Sequence, residues 1–238
     1  MAVHTRLTKR EISDILRVYR IGNLLNFSGI QEGIENTNYK IKTTNNYYIL
    51  TIFEERVNKK NLPFFLNLML NCSKKKICCP KPILDTSGKL TNNFKKKEIA
   101  LFSFLTGKSK KNWSEINCFD VGKTLGEFHT VNKSFKDKIS NEFGLVFWKE
   151  IFKKMDRFKL DSIIPGIHKL LKKELEIINH SWPKNLPKGI IHADLFPDNV
   201  FFKERKISGI LDFYFSCHDF LIYDLAITIN AWCFKKGK

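Results

Sequence analysis

Apolar positions along this chain alternate between helical and strand periods, and each change marks a new element. In "LTKREISDILRVYRIG", Ile12, Ile15, Leu16 and Tyr19 recur at helical spacing behind Thr8 and Glu11, a capping-box pair, and Gly22 closes the segment. A short leading helix is predicted. "FSGIQEG", "NTNYKIKT" and "YYILTIFEE" then carry β-branched and aromatic residues, with an Asn-Asn turn at 45 and 46. These predict three antiparallel strands. A helix follows through "LPFFLNLMLNCSKKK"; Pro80 and Pro82 break it, and "KLTNNFKKKEIALFSFL" reads as a second hairpin ending near Leu105.

From Trp113 the pattern turns helical, with apolar residues three and four apart in "CFDVGKTLGEFHTV", "LVFWKEIFKKMDRF" and "IPGIHKLLKKELEIINHSW". Strands return in "KGIIHADLFPDNVFF" and "KISGILDFYF", which flank "KERK" as a hairpin ahead of the apolar "FLIYDLAITINAWCF". The pattern predicts an α+β fold of two lobes. Residues 1–106 form a small antiparallel-sheet lobe with a helix, residues 107–238 form a mainly helical lobe, and the boundary falls near Thr106 to Lys111 without a linker.

Composition narrows the classes. With 238 residues, 43% of them hydrophobic, and 21 Phe, the chain can bury a sizeable core, which excludes disorder. No apolar run approaches the roughly 18 residues that span a bilayer, and "MAVHTRLTKREI" lacks the apolar region of a signal peptide. A protein of the cytoplasm with no membrane partner is expected. The formal charge of +17 raises nucleic acid as a partner, but it comes from 34 Lys and only 7 Arg scattered along the chain. Scattered Lys decorates solvated faces, whereas Arg forks grip phosphates and base edges, so no nucleic-acid partner is expected. The six Cys show no C-x-x-C pair and no zinc spacing, and read as buried, inert thiols. Oligomeric state is left open.

Candidate chemistry sits in "GIIHADLFPDNVFF". A turn centred between Arg205 and Lys206 would place Asn199 opposite Asp212, with cross-strand Cβ atoms about 5 Å apart. An amide carbonyl beside a carboxylate offers hard oxygen ligands of the kind Mg²⁺ accepts while it keeps phosphate oxygens and water. Asp194, on the same loop, is then in reach of a hydroxyl attacking a bound nucleotide. Base, metal amide and metal carboxylate make a phosphoryl-transfer site. "GKS" at 107–109 imitates the end of a P-loop, but Phe102 stands where that motif needs Gly.

"HADLFPDN" followed by "LDF" resembles the catalytic loop and metal-binding segment of protein-kinase-like phosphotransferases of the aminoglycoside and choline kinase branch. Ala193 and Tyr214 depart from the H-R-D and D-F-G of protein kinases. Five blocks in order, "GIENTNY", "LPFFLNLM", "HADLFPDNVFF", "LDFYFSCHD" and "YDLAITINAWCF", are similar to the homoserine kinases of that superfamily. The resemblance implies transfer of the γ-phosphoryl group of ATP to the side-chain hydroxyl of L-homoserine, in threonine biosynthesis. It implies Asp194 as catalytic base, His192 as brace of its loop, and Asn199 and Asp212 as Mg²⁺ ligands. It implies nucleotide contacts from the turn spanning Gly33, Asn36, Thr37 and Asn38, and adenine contacts from a hinge at Ser103 to Leu105. Asp219 is expected to cap the last helix and Asp224 to brace the catalytic loop. Thr51 stands where such kinases carry a phosphate-binding Lys, and the following helix has no acid to pair with one. The family continues with helices beyond the apolar stripe of "FLIYDLAITINAWCF", so the second lobe reads as incomplete relative to it. The catalytic loop does not choose the acceptor, which leaves choline- or aminoglycoside-type kinases and a non-catalytic nucleotide-binding protein as alternatives.

Overall fold

The computed structural model describes residues 3–31, 35–54 and 58–234. Helix α1 (Lys9–Leu16) begins with the expected capping box, in which the Thr8 hydroxyl accepts Glu11 N and Glu11 bonds back to Thr8 N. It ends at Leu16, well before Gly22, and its stripe of Ile12, Ile15, Leu16 and Tyr19 is buried. Strands β1 (Leu24–Ile30), β2 (Thr37–Thr43) and β3 (Tyr47–Ile52) form an antiparallel meander. After α2 (Leu62–Lys74), β4 (Pro82–Ile83), β5 (Asn92–Phe94) and β6 (Lys97–Ser103) complete a sheet of order β1-β2-β3-β6-β4, with β5 also on β6.

The two faces of this sheet do different work, because a strand sends successive side chains to opposite sides. Tyr39, Ile41, Leu50, Ile52, Ile99 and Leu101 face α1 and form one core. Phe53, Ala100 and Phe102 join a second core that runs through α2 into the helical region. Asn38 and Thr51, paired across β2 and β3, share that second face, and the Thr51 hydroxyl donates to Asn38 Oδ1 at 2.7 Å.

Beyond the sheet lie α3 (Glu115–Val131), α4 (Leu145–Lys154), α5 (Arg157–Ile163) and α6 (Ile167–Ser181). The pattern that reads as one helix through "LVFWKEIFKKMDRF" is split, since Asp156 caps α5 by accepting Phe158 N and Lys159 N. None of α4 to α6 has a fully buried residue. Strands β7 (Lys188–Ile191), β8 (Val200–Lys203), β9 (Lys206–Ile210) and β10 (Cys217–Phe220) follow, and α7 (Leu221–Trp232) ends the described chain. β8 pairs β9, and β10 pairs β7.

The register of the β8–β9 hairpin corrects the sequence expectation. Lys203 pairs Lys206 across a turn at Glu204 and Arg205, and a bulge then shifts the ladder so that Val200 faces Ile210. Glu204 supplies the positive φ of 59° that the turn needs. Asn199 therefore meets Leu211, whose amide donates to the Asn199 carbonyl at 2.8 Å, and not Asp212. The segment between the sheet and α3 lies flat on this hairpin. Lys108 and Phe202 exchange backbone hydrogen bonds at 3.0 and 2.9 Å, and a Cβ on Gly209 would stand 2.5 Å from Leu105 Cδ1.

Candidate active site

The catalytic-loop candidates leave the end of β7 and turn sharply. His192 is fully buried, and Ala193 takes a left-handed φ of 63°, which a side chain adopts only when neighbours hold it. Asp224, buried on α7, is the holder: its Oδ2 accepts His192 N at 2.8 Å and its Oδ1 accepts Ala193 N at 2.9 Å. His129 of α3 donates from Nε2 to the same Oδ2 at 2.8 Å. Sequence reading anticipated Asp224 and missed His129, which lies 95 residues away on a helix whose pattern shows only packing.

His192 bridges the two halves of the site. Its Nε2–H donates to the Leu211 carbonyl at 2.9 Å, and its Nδ1 accepts Asp194 N at 3.3 Å. Burial holds its pKa below the ordinary value, against the opposing pull of Asp224 and the Leu211 carbonyl. A neutral ring with the proton on Nε2 satisfies both contacts. Phe213 packs on it with ring centroids 5.1 Å apart.

Asp194 and Asn199 are joined as the spacing suggests. A short turn over Pro197–Asn199 brings the Asn199 amide back, and its Nδ2 donates to both Asp194 O and Asp194 Oδ2 at 2.8 Å. Burial raises Asp194 to about 7, the nearby Asp212 carboxylate adds to the rise, and Asn199 counters it. Asp212, in a left-handed conformation at φ 57°, is raised to about 6, first by burial. Its Oδ1 is buried with no hydrogen-bond partner among the described residues. An unpaired carboxylate oxygen in that setting is costly unless a cation meets it. The Asn199 NH₂ is spent on Asp194, so its carbonyl oxygen remains as a second hard ligand. The residues present therefore fit a divalent cation.

The nucleotide candidates fall in different settings. Gly33 lies outside the described residues. Asn36 is buried, with Oδ1 accepting Glu54 N at 3.3 Å. Thr37 points to the α1 side, where its hydroxyl accepts His4 N and Thr5 N and donates to Glu54. Asn38 lies on the opposite face with Thr51. Ser103 commits its amide to the Lys81 carbonyl and its hydroxyl to Lys81 N, both at 2.9 Å, and Leu105 rests over Gly209.

Among the described residues no charged pair joins β3 to α2. An aromatic contact does so instead: Tyr214, two residues beyond Asp212, sets its ring edge-on to Phe53 and Phe65 at 5.6 and 5.7 Å. Asp219 does not cap α7. Its Oδ1 accepts Phe220 N, the amide of the cap position itself, one residue too early to reach the first helical turn, and its Oδ2 accepts Asn141 Nδ2. Of the cysteines expected to be buried, Cys72, Cys79 and Cys217 are, whereas Cys78 and Cys233 are exposed.

The phosphotransferase enzyme family model matches residues 26–238. A homoserine kinase of Xanthobacter autotrophicus is 40% identical over 235 residues, which cover 99% of this chain and 73% of that protein. A homoserine kinase of Rhizobium meliloti is 41% identical over 236 residues, covering 99% and 72%. Among solved structures, spectinomycin phosphotransferase APH(9)-Ia with ADP and spectinomycin superposes with a TM-score of 0.70 at 17% identity, covering 94% of this chain and 74% of the other. Amicoumacin kinase hAmiN with AMP-PNP and Ca²⁺ gives 0.74 at 14% identity, covering 94% and 69%. At such identities the structural likeness concerns the fold alone.

Proposed function

This chain belongs to the phosphotransferase enzyme family, and from that premise we propose how its residues carry out transfer from ATP to L-homoserine. It is a homoserine kinase, forming O-phospho-L-homoserine for threonine biosynthesis. The observation that carries the reaction is the Asp194 carboxylate held by the Asn199 amide beside the unpaired Asp212 oxygen.

Asp194 is the base in our reading. As the homoserine hydroxyl attacks the γ-phosphorus, its O–H proton passes to Asp194, a new O–P bond forms, and the bond to the β-phosphate oxygen breaks to release ADP. A carboxylate raised toward neutrality by burial is matched to that proton. Asn199 fixes which oxygen faces the acceptor, and His192, Ala193 and Asp224 fix the loop. Mg²⁺ would be held by Asn199 and Asp212, and when bound it would neutralise charge on the phosphate oxygens. We assign the nucleotide to the first 106 residues and their connector, with phosphates near Asn36 and Asn38 and adenine at the main chain of Ser103 to Leu105. The base and the metal ligands belong to residues 107–238. The cytoplasm is the compartment we propose, where ATP is available and thiols stay reduced; all six cysteines are free.

The test is ATP-dependent phosphorylation of L-homoserine by the purified chain, beside Asp194→Asn and a panel of choline and aminoglycoside acceptors. Turnover confined to homoserine and lost in the variant supports the reading. Preferred turnover of another alcohol overturns the acceptor, and turnover surviving in the variant overturns the base.

A further inference from the structure

A small cavity of about 90 Å³ opens beside the metal-ligand segment, between the β1–β2 connection, the start of α2 and the residues leading into α4. Glu35 and Glu142 stand on its walls with Asn61, and the rings of Phe143, Tyr214 and Phe215 line the rest. Asn61 Nδ2 donates to Glu142 Oε1 at 3.2 Å, so the two sides meet across the cavity. Tyr214 is wedged between Phe53 and Phe65, yet its hydroxyl makes no hydrogen bond among the described residues. The Tyr214 phenol lines this cavity and can offer its O–H to a polar group there.

Charge says which group. Glu35 and Glu142 share this small cavity with Tyr214 and Phe215, two and three residues beyond Asp212, so it borders the centre of the reaction. A third carboxylate beside a base, a metal ligand and a triphosphate is repulsive unless a cation sits against it. The metal has its own oxygens in Asn199 and Asp212. An acceptor with an ammonium group would supply the cation, and aromatic faces beside carboxylates are a favourable surround for it.

Resting on the homoserine kinase reading, we propose that this cavity receives the amino-acid end of the acceptor. Glu35 and Glu142 bind its α-ammonium group, and Asn61 and the Tyr214 hydroxyl meet its α-carboxylate. The side-chain hydroxyl is thereby directed toward Asp194. Selection for an amino acid over a plain alcohol then lies in the two glutamates, not in the catalytic loop.

Steady-state kinetics with L-homoserine and with 4-hydroxybutanoate, which lacks the ammonium group, test this in the full chain and in Glu35→Gln and Glu142→Gln. The parent should prefer homoserine by at least about tenfold in kcat/KM, because the analogue leaves both glutamates without a cation. Each variant should raise KM for homoserine by roughly tenfold or more and shrink that preference, leaving the analogue's kcat/KM within about threefold. Equal losses on both acceptors, or a preference unchanged in both variants, overturn this assignment while leaving the kinase reading intact. No homoserine turnover by the parent overturns both.

Discussion

Asp224 on α7 fixes the backbone of Ala193: its carboxylate accepts the amide of a residue whose φ of 63° would otherwise relax. The same carboxylate takes the His192 amide and the His129 ring, so three donors from two elements converge on one buried acid. Positions 193 and 212 are both left-handed without being glycine, and the reactive carboxylates sit at or beside them. Backbone strain of about 1–2 kcal/mol at Ala193 is held in place by this buried pairing.

Asp224→Ala should therefore destabilise the chain by about 3–5 kcal/mol, since it leaves several buried donors without an acceptor. Denaturant unfolding monitors the loss. A midpoint within error of the parent would show that the loop holds itself.

Asp194→Asn should lower kcat on homoserine by about 10²- to 10⁴-fold with the KM for ATP little changed, as expected when a proton acceptor is lost and the nucleotide site is kept. The amide can still pair with Asn199, so near-normal unfolding is the control.

Asn199→Ala and Asp212→Ala should each raise the Mg²⁺ concentration needed for half-maximal activity by at least about tenfold. Chelation of divalent ions should abolish turnover in the parent, and added Mg²⁺ should restore it. A magnesium dependence shared by parent and both variants would move the metal elsewhere.

The His192 contribution to stability should be lost on acidification below the ordinary histidine pKa of 6.5, while Asp194 and Asp212, raised to about 7 and 6, contribute in the opposite direction. His192 has its folded-state pKa lowered by burial, so the unfolded chain takes up a proton there before the folded chain does. The favourable contribution is full above the unfolded value and is lost as pH falls. Between about pH 7.5 and pH 5 the stability advantage of the parent over His192→Gln should therefore shrink, as unfolding midpoints of the two would show.

Gly107→Ala should cost about 2–4 kcal/mol. The residue lies at φ 119°, and an added Cβ would stand 2.3 Å from Ser208 Oγ and 2.8 Å from the Phe202 carbonyl. Because the connector is stitched to the β8–β9 hairpin here, the KM for ATP should rise as well. A stable variant with parental kinetics would show that the connector can lift away.

Much of this was legible in the residues. The capping box at Thr8, the meander and the hairpin around "KERK" follow from local periodicity, which reports burial along one element. The pairing of Asp194 with Asn199 was legible because it spans only five residues. The hairpin register was not, since the bulge near Ser208 sits where Leu105 packs over Gly209, a contact across more than 100 positions that no local pattern reports. His129 was hidden for the same reason: its partner is on another helix. Thr37 reads as a nucleotide contact beside Asn38, but strand alternation turns its side chain to the α1 face.

The rings of Phe53, Tyr214 and Phe65 join the sheet and α2 to the segment that carries Asp212. Salt screens an ion pair and barely touches apolar contacts. This joint is therefore deaf to ionic strength and to charge added nearby. Apolar contacts weaken on cooling, because their driving force near room temperature is entropic. The coupling between nucleotide side and catalytic side in this chain should loosen with cold, and a lost ring contact, not a lost charge, is what would unlatch it.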